Sequence, residues 1–427
     1  MSRADAFGRL SAAAALIRDF NSLTATGGRL VGSASEAAAR DLLERRLQKI
    51  PDARFGAHRF HYSGWASSCS QLELTARGGP KRLACHPLYW AADTPADGLE
   101  SNLIDVGRGT EADFRSLARA IPGQIVIVRH EYPFSRETIH RRLKYNRSRE
   151  CGAAGFVIVN NIPGNLLVTG SCGQDSPENI PAIGVSLETG AILTATREVR
   201  ARLRIATVRQ PLTGVNLIAE IAGQTSEWVV MCAHYDGHEL AQSALDNATG
   251  VVAAIAIFES FRPFVSKLRR GLRLVLFTAE ETGLMGSRLY LQSLDESEQR
   301  KIAVVINLDT LAGSPRLTCL TSGFDELQSF ISETCTAMGV HLACHRPLLR
   351  NSDHFNFFQR GIPAMRLVAG FDELESGARF LLTEADTRER VSIDELMLAT
   401  TAAGALVWSA LDWPGRIAAH KAPIASE

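Results

Sequence analysis

Three apolar runs between Met231 and Thr310 end, one after another, in a histidine or in acidic side chains. The segments are MCAHYDGHELAQSALDNATG, LRLVLFTAEETGLMGS and IAVVINLDT. A long Val/Leu/Ile run predicts a strand buried on both faces, and ligands of open α/β sheets gather beyond the carboxyl ends of the strands. We therefore expect five chemically active residues to meet in one crevice: His234, Asp246, Glu280, Glu281 and Asp309.

The residue types in this group indicate a divalent metal site. One imidazole and three carboxylates form the mixed nitrogen and oxygen set that zinc accepts in catalytic sites. The predicted ligands are His234, Asp246, Glu281 and Asp309. Asp236, on the same predicted strand as the histidine, can accept the second imidazole N–H, and Glu280 can take a proton from an attacking water. Any one of these acids alone would suit a helix cap or a surface charge, so the prediction depends on their succession at consecutive strand ends.

Length, charge and hydropathy limit the other possibilities. The chain has 427 residues, more than one ordinary domain of ~100–200 residues, and 45% of them are hydrophobic. Lys plus Arg number 46, as do Asp plus Glu, so the net charge predicts neither a nucleic acid nor an acidic membrane as a partner. No apolar stretch approaches the ~20 residues of a membrane span and no secretory signal is recognisable, so we predict a cytoplasmic location.

Alternating strand and helix patterns after Pro211 predict the fold class. The predicted strands are GVNLIAEIAG, EWVVMCAHYD, LRLVLFTAEE and IAVVINLDT, with helices over residues 250–261, 286–293 and 325–337. Two earlier helices are predicted over residues 7–20 and 34–50, the second capped by Ser33 or Ser35. The order predicts an α/β fold: a three-layer α/β/α sandwich with a mixed, largely parallel central sheet.

Residues 97–209 have a different pattern, which predicts a small β-rich inserted domain. Their pieces IPGQIVIVRHEY, GAAGFVIVNN and IPAIGVSLETGAILTA resemble the protease-associated domain, a module inserted in several peptidase families. The resemblance implies a module that packs on the main domain and shapes the substrate entrance; independent partner binding is the alternative. A basic segment within it could bind an anion, but we expect a solvated helix face. Its basic residues are Arg141, Arg142, Lys144, Arg147 and Arg149.

The remaining motifs resemble one family of enzymes. HYD, DNATG, AEETGLMGS, NLD, SDHFNF and GIPAM occur in the order found in the co-catalytic zinc aminopeptidases, which include aminopeptidase Y, aminopeptidase S and glutamate carboxypeptidase II. The resemblance implies that residues 1–96 and 210–427 form a peptidase domain. It also implies that the protein is a metal-dependent exopeptidase, namely an aminopeptidase, that acts on peptides. It also implies roles for the acids: His234 and Asp309 hold one zinc, Asp246 bridges, Glu281 binds a second zinc and Glu280 is the general base.

One segment departs from the family pattern. The family has a Tyr-His-Thr-type motif there, whose histidine binds the second zinc and whose tyrosine stabilises the oxyanion, whereas this chain reads FLLTEADT. Leu381 and Leu382 take those two places, and neither can coordinate or donate. The chain could hold one or two zinc ions, His354 or His238 could replace the lost ligand, or catalysis could be lost, leaving a binding protein.

The substrate and the reaction class leave further alternatives open. Arg350 and Arg366 flank the SDHFNF and GIPAM motifs and could grip a substrate carboxylate or carbonyl, or could form structural ion pairs. A single-zinc acyl transferase resembling glutaminyl cyclases is a third reading of the scaffold. The sequence does not specify the residue preference or the oligomeric state.

Overall fold

Fourteen strands and twelve α-helices form the part of the chain that the computed structural model describes, residues 3–76, 79–195 and 200–424. The helices are α1 (Arg3–Leu10), α2 (Ala13–Thr24), α3 (Ala34–Gln48), α4 (Glu111–Leu117), α5 (Arg141–Glu150), α6 (Leu187–Ala195), α7 (Thr249–Val265), α8 (Met285–Ser293), α9 (Glu296–Arg300), α10 (Asp325–Met338), α11 (His354–Gln359) and α12 (Ile393–Asp412). The strands are β1 (Arg54–Ala76), β2 (Gly79–Leu83), β3 (His86–Pro87), β4 (Leu99–Asp105), β5 (Ile125–Arg129), β6 (Gly155–Val159), β7 (Ala182–Val185), β8 (Arg200–Ile221), β9 (Trp228–His234), β10 (Gly271–Phe277), β11 (Ile302–Leu308), β12 (Leu317–Leu320), β13 (Ala343–His345) and β14 (Ala364–Ala369).

The main sheet has the strand order β13-β12-β14-β11-β9-β10-β8. Its centre is parallel, because β9 pairs in parallel with β10 and β11, and β11 with β14. Antiparallel pairs lie towards the edges, β12 with β14 and β10 with β8. The predicted α/β fold with a mixed, largely parallel central sheet is therefore confirmed.

Alternate residues of the central strands enter two different hydrophobic cores. Val229 and Met231 of β9 pack in the core that contains α7 and α12, whereas Val230 and Cys232 pack in a core with Tyr290 of α8 and Phe357 of α11. Strands buried on both faces are mostly apolar, as these strands are, and Arg273 within β10 pairs with Glu220. Helices cover both faces, as a three-layer sandwich requires.

The register of the parallel strands aligns their carboxyl ends. His234, the last residue of β9, pairs with Phe277, the last residue of β10. Leu308 ends β11, so Asp309 leaves the sheet beside them. The residues that follow these strands therefore lie together at one edge of the sheet.

A long two-stranded ribbon joins the main sheet to the inserted domain. β1 and β8 pair antiparallel from Arg54 with Glu220 to Thr75 with Arg200. One end of β8 pairs with β10 in the main sheet and the other end pairs with β4. From β4 the inserted domain continues through parallel β5, β6 and β7 to antiparallel β3, over a hydrophobic core of its own.

Several local predictions need correction. The pattern over residues 7–20 contains a break, since α1 ends at Leu10 and α2 begins at Ala13. The helix α5 is not a solvated face: Lys144 is fully buried and its ammonium donates to the Glu131 carboxylate and the Arg129 carbonyl, both at 2.7 Å. A buried ammonium is tolerated when such partners satisfy it, and those partners come from a segment that the local pattern does not reveal.

Residues Ala244–Val265 are the only helical stretch within the described parts of the chain that is long and apolar enough to cross a membrane, and 78% of its apolar window is buried inside the fold. The stretch joins a π-helical turn, Ala244–Ala248, to α7, which packs against α12 and β9. A core helix of a layered fold has this composition, and the stretch is accounted for in that way.

Candidate metal centre

Three of the four predicted ligands converge at the aligned strand ends. His234, Asp246 and Asp309 each offer one ligand atom, and these atoms lie within 4.8 Å of one another. The His234 Nε2 atom is 3.1 Å from Asp246 Oδ1 and 3.7 Å from Asp309 Oδ1. The histidine is fully buried and the Asp309 side chain nearly so. Asp246 is partly buried and lines a cavity. One nitrogen and two carboxylate oxygens this close together fit a divalent metal such as zinc.

The opposite side of the imidazole fixes its tautomer. His234 Nδ1 lies 3.2 Å from the backbone carbonyl of Asp236 and 3.6 Å from the carboxylate of the same residue. An Nδ1–H that donates there leaves the Nε2 lone pair free to bind a metal. The strand ends at His234, so Asp236 lies beyond it and not within it as the pattern predicted.

The Asp236 carboxylate has a second set of partners that the sequence did not reveal. One of its oxygens accepts the backbone N–H of Glu280 and the other that of Glu281, both at 3.1 Å. Asp236 is fully buried. One carboxylate therefore links the β9 end, which carries the histidine, to the β10 loop, which carries both glutamates.

Asp309 is held by donors from three different segments. Its Oδ2 accepts the Ser352 hydroxyl at 2.5 Å and lies 3.1 Å from Nη2 of Arg366, and its Oδ1 accepts the Thr310 hydroxyl at 3.2 Å. Burial alone would raise the pKa of Asp309, but Arg366, His234 and Ser352 together lower it below its ordinary value. Asp309 is thus held ionised, the state in which it can bind a metal.

Asp246 sits in the irregular turn before α7 and is oriented through its backbone. The carboxylate of Asp386 accepts the backbone N–H of Leu245 at 2.7 Å and of Asp246 at 3.3 Å. The amide oxygen of Asn247 accepts the N–H of Gly250 and of Thr310, at 3.0 and 3.2 Å. Asp386 lies in the segment FLLTEADT and Asn247 in DNATG, but the sequence alone did not indicate these contacts.

The two glutamates after β10 lie in a crowded field of negative charge. Burial is the largest cause that raises the pKa of Glu280 and of Glu281 well above the ordinary value, and His234 acts in the opposite direction. Glu281 is 8% exposed, and its Oε1 has no hydrogen-bond partner among the described residues. A buried carboxylate without a donor, next to other acids, is stabilised by a cation.

Two family models match the chain over most of its length. Residues 216–406 match peptidase family M28, and residues 80–193 match the PA domain. Over residues 216–406 the chain is thus similar to peptidase family M28. It carries an inserted PA domain, as the motifs predicted.

Named relatives of this chain are aminopeptidases. Aminopeptidase YwaD of Bacillus subtilis (strain 168) is 25% identical over 395 residues, which cover 91% of this chain and 82% of the relative. The probable leucine aminopeptidase 2 of Trichophyton verrucosum (strain HKI 0517) is 28% identical over 326 residues, which cover 72% of this chain and 62% of the relative. The chain therefore spans less than two thirds of the length of that fungal relative.

Solved structures share the fold. The peptidase M28 precursor from Shewanella amazonensis SB2B has a TM-score of 0.80 at 22% identity, covering 96% of both chains. BSAP, a zinc aminopeptidase from Bacillus subtilis, has a TM-score of 0.74 at 23% identity, covering 94% of this chain and 95% of that one. At such identities the likeness shows the fold alone.

A cavity of about 100 Å³ lies between the M28 and PA domains, directly over the candidate metal ligands. Asp246, Glu280, Glu281 and Asp309 form its acidic floor. The lining also contains four arginines and two histidines, and four of these six residues come from the PA domain. They are His130, His140, Arg141, Arg142, Arg350 and Arg366. The basic segment predicted as a solvated face thus contributes to the site, which the sequence alone did not indicate.

The two PA-domain histidines in this lining are neutral. Burial, with Arg141 as the next cause, lowers the pKa of His130 to about 3 and that of His140 well below its ordinary value. The charged neighbours that act on both are cations. A divalent metal beside these imidazoles would be repelled by the same charges.

The two histidines proposed as replacement ligands lie outside both the three-ligand cluster and the cavity lining. His238 is fully buried, with Nε2 3.6 Å from Asp386 Oδ2. His354 begins α11, and burial followed by Arg366 lowers its pKa to about 3. Leu381 and Leu382, by contrast, do line the cavity. The positions where the motif departs from the family therefore face the site.

Proposed function

We propose that this chain is a zinc-dependent aminopeptidase that hydrolyses the peptide bond after the first residue of a peptide. The observation that carries the proposal is the three-ligand cluster of His234, Asp246 and Asp309, with Glu280 on the same cavity floor. The family and the names of the relatives support the same activity. A bound zinc would polarise the scissile carbonyl and make a water molecule more acidic.

The residues around the cluster divide the remaining work. We propose Glu280 as the general base, because its carboxylate faces the cavity while its backbone N–H is fixed by Asp236. Asp236 is a positioning residue, since it contacts the histidine and both glutamate backbones but does not line the cavity. Ser352 and Arg366 hold the Asp309 carboxylate in place.

The two arginines predicted to grip the substrate have different surroundings. Arg366 is 1% exposed, donates to the Asn351 carbonyl and pairs with Asp309, so we assign it to holding that ligand. Both arginines line the cavity, and the backbone carbonyl of Arg350 accepts a guanidinium N–H of Arg142 at 3.4 Å. We propose Arg350 as the group that receives a carbonyl or carboxylate of the peptide, since guanidinium donors suit both.

The experiment compares metal content and turnover in two variants. Glu280→Gln removes the base but none of the three cluster ligands, so we expect kcat for aminoacyl p-nitroanilides to fall by about 10²–10⁴-fold with the zinc content unchanged. Glu296→Gln is the control, because Glu296 is exposed and pairs with Arg300 on a surface helix. Zinc in the protein together with full activity of Glu280→Gln would contradict the assignment of the base.

A second candidate is a binding protein on the same scaffold, which Leu382 in the cavity favours. It predicts no turnover of any aminoacyl substrate by the zinc-loaded protein. Turnover that is lost in Glu280→Gln and kept in Glu296→Gln excludes it.

A further inference from the structure

The acidic residues of the site are numerous enough to bind two metal ions, but the imidazole nitrogen of the cluster can bind only one. Within the described residues, the group that can hold a metal is His234 with Asp246 and Asp309. Glu281, predicted to bind a second ion, lies outside that group, and Leu382 faces the cavity where the family has an imidazole. A carboxylate pair without a nitrogen or further oxygen donor is a poor zinc site. The donors present fit one ion and do not fit a second.

A permanent cation from the PA domain lines the same cavity. Arg141 is the first residue of α5 and is 8% exposed. Its Nε donates to the Ser171 carbonyl at 3.1 Å and its Nη1 to the Thr169 carbonyl at 3.3 Å. Gly170 lies between these two residues, and a Cβ there would collide with the guanidinium. The guanidinium is therefore held in a fixed cradle by carbonyls, and its charge is not neutralised by them.

That cradle is joined to the segment in which the family histidine is missing. The Thr169 N–H donates to the Leu382 carbonyl at 2.9 Å, and Val168 forms an antiparallel bridge with Thr383. Two hydrogen bonds, both made by the Thr169 backbone, thus connect Arg141 to the backbone of Leu382. The segment that lacks the family histidine and the backbone that holds Arg141 are therefore directly hydrogen-bonded to each other.

The charge of Arg141 acts on the acid that the second metal would have served. Arg141 and Glu281 line the same cavity, and the Glu281 Oε1 atom has no hydrogen-bond partner among the described residues. An arginine stays protonated at every physiological pH, so this charge does not depend on metal supply. It offsets part of the negative charge on Glu281.

We propose that Arg141 takes the electrostatic place of the second metal ion, so that this chain binds one divalent ion where the co-catalytic enzymes bind two. The inference rests on the metal site proposed above but not on its peptidase activity. The cavity histidines His130 and His140 lie outside the group of described residues that can hold a metal.

The test counts metal ions and requires no turnover. Chelated protein is titrated with zinc chloride by calorimetry, and zinc retained after gel filtration is measured by mass spectrometry. We expect one ion per wild-type chain. We expect Leu382→His/Arg141→Gln to bind a second ion at least about tenfold more tightly than Leu382→His/Arg141→Lys, because lysine keeps a positive charge beside Glu281.

Each result decides the matter. Two tightly bound ions in the wild type, or equal second-site affinities in the Gln and Lys double variants, would overturn the inference and leave the proposed peptidase intact. A wild-type protein that binds no zinc would overturn both proposals. The wild-type count holds even if the Arg141→Gln chain does not fold, since it needs no variant.

Discussion

Replacing Asp236 by asparagine should weaken zinc binding although Asp236 itself does not bind the metal. Its two carboxylate oxygens accept the N–H groups of Glu280 and Glu281, each at 3.1 Å, in a fully buried position. Asparagine keeps one acceptor and turns an NH₂ group towards the other N–H. One buried N–H then loses its partner, at a cost of about 1–3 kcal/mol. The charge next to the His234 imidazole disappears as well, and partners of this kind are worth about 10–100-fold in metal affinity.

The assay is competition for zinc with a chromophoric chelator, with the melting temperature measured on the same samples. We expect the Kd of Asp236→Asn to rise about 10–100-fold and its metal-free form to melt lower than the wild type. Asp19→Asn is the matched control, because Asp19 pairs with Arg46 away from the cavity. An unchanged zinc Kd in Asp236→Asn, or an equal change in both variants, would refute the positioning role.

Three further outcomes follow from the described contacts. The pKa of His130 is about 3 in the folded chain and ~6.5 in the unfolded chain. The contribution of neutral His130 to stability is therefore complete above pH ~6.5 and is lost as the pH falls towards 3, by about 2 kcal/mol at pH 5. The melting temperature of His130→Gln should fall less between pH 7.5 and pH 5 than that of the wild type. Gly250→Ala should lower the melting temperature and reduce the free energy of unfolding by about 1–3 kcal/mol, because the new Cβ would collide with the Leu308 carbonyl just before Asp309. Gly8→Ala is the control and should leave the melting temperature unchanged, because its new Cβ meets open space. Zinc at about 100 times its Kd should raise the unfolding free energy by about 2.7 kcal/mol, and chelation should reverse this in a thermal scan; a thermal scan that zinc leaves unchanged would count against the site.

The fold was predictable because the apolar patterns that specify its strands and helices are local and periodic in the sequence. The runs ending at His234, Phe277 and Leu308 are largely apolar, with Arg273 and Asn307 as interruptions, and such runs favour strands covered on both faces. Parallel strands place their carboxyl ends at one edge, so the acids that follow them had to lie near each other. Asp246 follows from the same reasoning with less certainty, since an irregular turn and not a strand end positions it.

The remaining features depend on contacts between distant segments. The charged helix α5 reads as solvated in isolation, but Lys144 is buried against Glu131 and Arg141 against the carbonyls of Thr169 and Ser171. A sequence pattern gives the polarity of a side chain and not the partner that satisfies it. For the same reason the task of Asp236 could be guessed only in part.

The domain boundaries predicted at residues 96/97 and 209/210 stay a proposal, as does the cytoplasmic location. Strand β8 runs across the boundary at 209/210, and β1, which lies wholly before residue 96, pairs with β8 along a ribbon that packs into both cores. A ribbon of this kind has no composition shift or linker to mark where one domain ends, which are the signals that sequence reasoning uses.

The most direct test of the account is an anomalous difference map, collected at the zinc edge from crystals grown with zinc. We predict one peak at about 2.0–2.2 Å from His234 Nε2 and from carboxylate oxygens of Asp246 and Asp309, absent from crystals of His234→Ala. A map without a peak at those three residues, or with its peak at His238 or His354, would contradict the proposed centre.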